Sequence, residues 1–133
     1  MNKKLRILIV DDDKDILKFT SEGFESQGHH VTVASSGNEA IKILKENAFD
    51  VIVSDLKMPN GDGLSLLSYV NTLNPLPAFF FASGEGGLIV DKCIEAGAIG
   101  FFSKPFDLHI LISEIEKKIC CDWIKCKRNI LNI

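Results

Sequence analysis

The sequence predicts an α/β domain in which a parallel sheet of five strands is covered by helices on both faces. Five short apolar runs alternate with five amphipathic segments of helical spacing, joined by short connections. Strands separated by helices need crossover connections, and crossovers make neighbouring strands parallel. The third apolar run, Val51 to Val53, shows no polar alternation, as expected of a strand buried on both faces.

Taken in order, Leu5 to Val10 is a β-branched-rich run that reads as the first strand and stops at three aspartates. Asp13 or Asp15 can cap a first helix carrying Ile16, Leu17, Phe19 and Phe24, which ends at Gly28. Val31 to Ser35 reads as a short second strand. Ser36 and Glu39 form a capping-box pattern that opens a second helix with Ala40, Ile41, Leu44 and Ala48.

The third strand, Val51 to Ser54, gives way at Asp55 to a loop forced by Pro59, Asn60, Gly61 and Gly63. Leu64, Leu67 and Val70 mark a third helix, with Asn74-Pro75 as its stop. Ala78 to Ala82 is a fourth strand closed by Ser83, and Gly84, Gly86 and Gly87 make the next loop flexible. A fourth helix runs from about Leu88 to Gly97. Ile99 to Ser103 is the fifth strand, closed by Lys104-Pro105. Asp107 then caps a fifth helix with Leu108, Leu111, Ile112, Ile115 and Ile119 on one face.

The bulk properties narrow the function classes. At 133 residues the chain suffices for one domain with a full-sized core. A net charge of −3 argues against non-specific nucleic-acid binding as the main task. No apolar run approaches the roughly 18 residues of a membrane span. Asp11, Asp12 and Asp13 cut short the apolar stretch that a signal peptide would need, so a cytoplasmic protein is expected. Cys93, Cys120, Cys121 and Cys126 include no CxxC pair, and reduced thiols are the expectation.

Four strands end in polar groups: Asp11 and Asp12, Asp55, Ser83 and Lys104. In a parallel sheet these ends share one edge, where open α/β sheets bind ligands. Clustered carboxylates repel unless a cation joins them. Oxygen-only ligands suit magnesium, which binds through a few carboxylates plus phosphate. A lysine and a hydroxyl at the same edge can hold the remaining phosphate oxygens.

On these residues the sequence resembles the receiver domain of two-component response regulators. The likeness covers about Leu5 to Ile119 and rests on residues 8–12 (Leu-Ile-Val-Asp-Asp), 54–63 (Ser-Asp-Leu-Lys-Met-Pro-Asn-Gly-Asp-Gly), 82–84 (Ala-Ser-Gly), 96–98 (Ala-Gly-Ala) and 104–106 (Lys-Pro-Phe). It implies a doubly wound five-stranded sheet in the flavodoxin-like order 2-1-3-4-5 with five helices, a receiver domain over 1–119 and no separate output domain in 120–133.

The resemblance further implies that Asp55 is the phosphoacceptor. Asp12 would be the principal magnesium ligand, Asp11 would act mainly through water, and the Lys57 carbonyl would complete the protein's share. Lys104 would pair with Asp55 and then with its phosphoryl group. Ser83 and the Gly84 backbone N–H would donate to phosphoryl oxygens, whereas Asp13 has no metal role. The donor would be a sensor histidine kinase or histidine phosphotransfer protein, and Asp55 would take its phosphoryl group and later lose it to water. Such a chain is a self-modifying switch rather than a turnover enzyme. Ser83 and the aromatic Phe101 would then shift and reshape the surface of the fourth helix, fifth strand and fifth helix for a downstream protein target. Phe101 lacks the hydroxyl of the tyrosine frequent there, and plain core packing is its competing role.

Two charges flank this site, Lys57 two residues after Asp55 and Glu85 two after Ser83. If they meet across the mouth, they would hinder attacking water. Beyond Ile119, residues Trp123, Cys126 and Ile130 continue the three-to-four spacing, so the fifth helix can run on and present a dimer or partner surface. Lys125, Lys127 and Arg128 are too few to argue for nucleic acid or membrane. A homodimer would use that tail or the surface of the fourth helix, fifth strand and fifth helix.

Two rival classes are weighed against the switch, an interaction module and an enzyme, the latter either a flavin carrier or an aspartyl phosphohydrolase. A phosphorylation-independent interaction module of the same fold would not need the full set of Asp11, Asp12, Asp55, Ser83 and Lys104. A flavin carrier wants a Ser/Thr/Gly-rich phosphate loop after the first strand, where this chain has three aspartates. An aspartyl phosphohydrolase usually carries its nucleophile in an Asp-x-Asp motif at the first strand, not after the third.

Overall fold

A computed structural model describes residues 4–131, with side chains described for 4–119. Five strands and five helices alternate: β1 (Arg6–Val10), α1 (Lys14–Ser26), β2 (His30–Ala34), α2 (Gly37–Glu46), β3 (Val51–Ser54), α3 (Gly63–Val70), β4 (Ala78–Ser83), α4 (Leu88–Glu95), β5 (Gly100–Ser103) and α5 (Leu108–Leu131). All pairings are parallel and the sheet order is β2-β1-β3-β4-β5, as expected. Connections on both sides of β1 put helices on both faces of the sheet.

The strand period of two divides the core into two layers. Leu8, Val10, Ile52, Phe79 and Phe81 pack with Leu44, Leu66, Leu67, Val70 and Cys93 under α2, α3 and α4. Ile7, Ile9, Val51, Val53 and Phe80 pack with Leu17, Phe24, Leu111, Ile112 and Ile115 under α1 and α5. Val51, Ile52 and Val53 are all buried, as their uninterrupted apolar run predicts. Each fully buried Leu, Ile or Phe contributes about 1.5–3 kcal/mol relative to exposure.

Helix ends follow local chemistry. Asp13 caps α1, its Oδ1 accepting from the N–H groups of Asp15 at 2.9 Å and Ile16 at 3.3 Å. At the other end Gly28 takes φ +90°, and the His29 N–H returns to the Phe24 carbonyl. Ser36 caps α2 through the Glu39 N–H. The reciprocal half of the expected box differs: the Glu39 carboxylate reaches the Ser35 N–H and hydroxyl, where a further donor lies within reach. Asp62 caps α3 through the Ser65 N–H at 2.8 Å, an end the apolar spacing did not reveal. Asp107 caps α5 through the Ile110 N–H.

Phe19, grouped with the apolar residues of α1, is 55% exposed, because Leu17, Thr20 and Phe24 form the buried stripe. The backbone of α5 runs on to Leu131. The side chains of Cys120, Cys121, Trp123, Lys125, Cys126, Lys127, Arg128 and Ile130 lie outside the described residues. Among the described residues Cys93 is a buried free thiol, and no helix is long and apolar enough to cross a membrane.

Candidate functional site

The carboxyl ends of β1, β3, β4 and β5 place the expected site residues along one edge of the sheet. Backbone pairing continues past each strand and fixes where those side chains start. The Asp11 N–H donates to the Ala34 carbonyl at 3.1 Å, the Asp55 N–H to Val10 at 2.8 Å, and the Lys104 N–H to Ser83 at 2.8 Å. The site is therefore carried by the rigid ladder rather than by loops.

Lys104 sits at the centre. Its Nζ donates to Asp11 Oδ2 at 2.7 Å and to Asp55 Oδ2 at 3.1 Å, bridging residues 93 and 49 positions away. Pairing with Asp55 was anticipated; the shorter bond to Asp11 was not. Asp11 is buried, Asp55 half-buried and Asp12 exposed at the rim. The Asp13 N–H donates to Asp11 Oδ1 at 2.9 Å, and the Leu56 N–H to Asp55 Oδ1 at 2.7 Å. Both donors lie in the loop turns just after the strands, where residue type says little about where a backbone N–H points.

Burial pushes the Asp11 carboxyl above the ordinary range, and the Asp55 charge adds to this against the pull of Lys104 and the Asp13 N–H. Burial also works against the charge on Lys104, but its hydrogen bonds to Asp11 and Asp55 outweigh it and hold the ammonium above the ordinary lysine value. One lysine thus holds two carboxylates, and burial still leaves the Asp11 carboxyl raised.

Carboxylate oxygens from Asp11, Asp12 and Asp55 lie within 4.8 Å of one another. This all-oxygen donor set, with Asp12 open to solvent, fits a hard divalent cation that keeps several waters. Asp13 caps α1, as its position after the acidic pair suggested.

Ser83 is buried at the end of β4, its Oγ accepting from the Glu85 N–H at 3.2 Å. Gly84 is exposed, and the space a side chain would fill there is open. Phe101 pairs in register with Phe81, their ring centroids 6.1 Å apart, and packs against the α2–α4 side of the core while staying partly exposed. Lys57 Nζ meets Glu85 Oε1 at 3.3 Å.

The loop after β3 is held by close backbone packing. Gly63 opens α3 with its N–H on the Leu56 carbonyl at 2.8 Å, and a Cβ there would collide with the Asp55 carbonyl oxygen and the Phe81 ring. Asn60 and Gly61 take φ +62° and +106°, and their carbonyls accept from the N–H groups of Asn38 and Gly37 at the start of α2.

Residues 7–116 match the response regulator receiver domain family. The chain is 32% identical to the response regulator receiver protein CpdR of Brucella abortus, over 86% of this chain and 96% of that protein. It is 40% identical to a protein-glutamate methylesterase/protein-glutamine glutaminase of Caldanaerobacter subterraneus, covering 90% of this chain but only 35% of that protein. The crystal structure of a CheY-like response regulator receiver domain protein from Methanospirillum hungatei superposes with a TM-score of 0.86 at 28% identity, covering 92% of this chain and 99% of that one.

Proposed function

The chain belongs to the response regulator receiver family, and from that premise we propose that it is a phosphoacceptor switch with Asp55 as its nucleophile. The observation that carries this reading is the Lys104 ammonium shared between Asp11 and Asp55 beside a three-carboxylate cluster. A purely passive interaction surface has no use for a part-buried lysine held between two carboxylates.

In the proposed reaction, an Asp55 carboxylate oxygen forms a bond to the phosphorus of a phosphohistidine on a kinase or phosphotransfer protein. The P–N bond breaks and the departing imidazole takes a proton. Negative charge spreads over three equatorial oxygens as this happens. Lys104 is already charged and within hydrogen-bond reach of Asp55, so it can move from carboxylate to phosphoryl oxygen. Asp11, Asp12, Asp55 and the Lys57 carbonyl would hold Mg²⁺, which when bound supplies charge neutralisation at the phosphoryl oxygens. The Leu56 N–H keeps Asp55 oriented, and the Ser83 hydroxyl and Gly84 N–H are the remaining donors at this edge. Water later attacks the phosphorus, releasing phosphate and restoring the carboxylate. Both steps modify the chain itself, so the proposed role is a switch and not a turnover enzyme.

For the output, we propose that Ser83 turns toward the new phosphoryl group, giving up the Glu85 N–H. Phe101, its ring tilted beside that of Phe81 but not sealed in the core, then moves inward and alters the α4–β5–α5 surface read by a protein target.

The test is incubation with Mg²⁺ and acetyl phosphate, followed by intact mass, with Asp55→Asn as control. The expected result is one acid-stable, base-labile phosphoryl group, absent in the control and without Mg²⁺. A folded, Mg²⁺-binding protein that takes a phosphoryl group neither from acetyl phosphate nor from any histidine kinase would overturn the reading in favour of a phosphorylation-independent module.

A further inference from the structure

Behind the carboxylates, on the α1 side of the sheet, lies a group that the phosphoacceptor chemistry does not use. Thr20 is 2% exposed, and its hydroxyl has no hydrogen-bond partner among the described residues. A helical threonine commonly bonds back to the carbonyl four residues earlier, here Ile16, and Thr20 does not. Buried polar groups are rarely left unsatisfied, and an orphan usually marks a water or an ion.

The space beside it is suited to one. A small cavity of about 10 Å³ is lined by Thr20, Asp11, Ser54 and Asp55, with Ile16 and Phe106 among its apolar walls. One water needs ~10–15 Å³ and two to four polar partners. Ser54 has already committed its proton to the Asp55 carbonyl at 2.7 Å, leaving its oxygen only as an acceptor. The described donors to Asp11 are one per carboxylate oxygen, Lys104 on Oδ2 and the Asp13 N–H on Oδ1, so each oxygen keeps a free lone pair.

We propose that one buried water fills this cavity and links the Thr20 hydroxyl to the Asp11–Asp55 pair, making Thr20 a positioning residue for the carboxylates that bind the metal. Thr20 donates to the water, and the water donates to Asp11. The carboxylate then gains a donor where burial deprives it of solvent, and its orientation toward the rim is held from behind. The affinity part of this inference rests on the magnesium reading above. Groups behind metal ligands typically change metal affinity by 10–100-fold when removed.

Two measurements test it together: a crystal structure of the wild-type chain beyond about 1.5 Å resolution, and Mg²⁺ titration by calorimetry of wild type, Thr20→Val and Thr20→Ser. One ordered water within hydrogen-bond distance of both Thr20 Oγ1 and Asp11 is expected. Thr20→Val should weaken Mg²⁺ binding about tenfold, and Thr20→Ser should keep it within about twofold. A dry cavity overturns the inference, as does a Thr20→Val protein that binds Mg²⁺ like wild type. Should Thr20→Val fail to fold, the wild-type density still decides, an ordered water between Thr20 Oγ1 and Asp11 supporting the inference and a dry cavity overturning it. Wild-type protein that takes up no Mg²⁺ would instead overturn the metal reading, while the presence or absence of the water would still decide whether Thr20 is tied to Asp11.

Discussion

Lys57 and Glu85 meet at 3.3 Å, Nζ to Oε1, and so join the loop after β3 to the loop after β4 beside the Asp55–Ser83 edge. Lys57 is largely in water and Glu85 partly so, 76% and 43% exposed, so the pair adds little to stability. The role proposed for it is positional: two opposite charges joined between these loops would hinder water attacking the Asp55 phosphoryl group. Lys57→Ala and Glu85→Ala are each expected to shorten the phosphoryl lifetime by about two- to tenfold with the unfolding midpoint within about a degree of wild type. Dephosphorylation followed by loss of the phosphorylated mass would check this. Wild-type rates in both variants would remove the role.

Lys104→Met deletes the cation that Asp11 and Asp55 share. Two carboxylates then face each other without compensation, one of them buried. Phosphorylation by acetyl phosphate should fall at least 100-fold, as for loss of a group that stabilises transition-state charge. The variant should also unfold at lower temperature than wild type at neutral pH and recover part of the difference when Mg²⁺ is added. Unchanged phosphorylation would mean that the lysine is structural only.

Asp11 should lower the stability of the protein without divalent cations at neutral pH. Its carboxyl is raised in the fold, mainly by burial, so the folded state binds its proton more tightly than the unfolded chain does. The stability it contributes is full below the ordinary carboxylate value of about 3.9 and is lost as pH rises through the raised value. Asp11→Asn is therefore expected to raise the unfolding midpoint by a few degrees at pH 7 in EDTA, with the gain shrinking on acidification. Adding Mg²⁺ should stabilise wild type and do little for the variant, because binding to the folded state alone adds stability. Thermal melts across pH, with and without Mg²⁺, test both signs.

Gly63→Ala should be among the more damaging small substitutions in the chain. The new methyl meets the Asp55 carbonyl and the Phe81 ring, one of which is fixed by the sheet and the other by the core. Overpacking of this kind costs about 1–3 kcal/mol. Acceptor rate should drop with stability, because relieving the clash displaces the backbone of Asp55. A variant with wild-type melting and wild-type phosphorylation would show that α3 can move away freely.

How much of this was legible beforehand depended on whether a property is local. Val51-Ile52-Val53, the three phenylalanines of β4 and the Asp, Ser and Lys that end their strands announce themselves by type and spacing. Alternation of strand and helix then forces parallel pairing, so the convergence of Asp11, Asp55, Ser83 and Lys104 on one edge follows from topology. The cap at Asp13 is equally local, needing only N–H groups two and three residues ahead.

What the tertiary structure alone decided concerns directions and distances between elements far apart in the chain. Phe19 carries the same apolar signal as Leu17, yet the rotation of α1 against the sheet exposes it and buries Thr20. Asp11 and Asp12 are identical in type, but the end of β1 turns the first inward to Lys104 and leaves the second at the rim. The 3.3 Å approach of Lys57 to Glu85 and the cavity beside Thr20 arise from how separate loops and faces pack. Residue identity sets which groups stand at the ends of elements, because backbone period and capping are short-range. Which of those groups touch is set by the packing of one element on another, which acts across the whole fold.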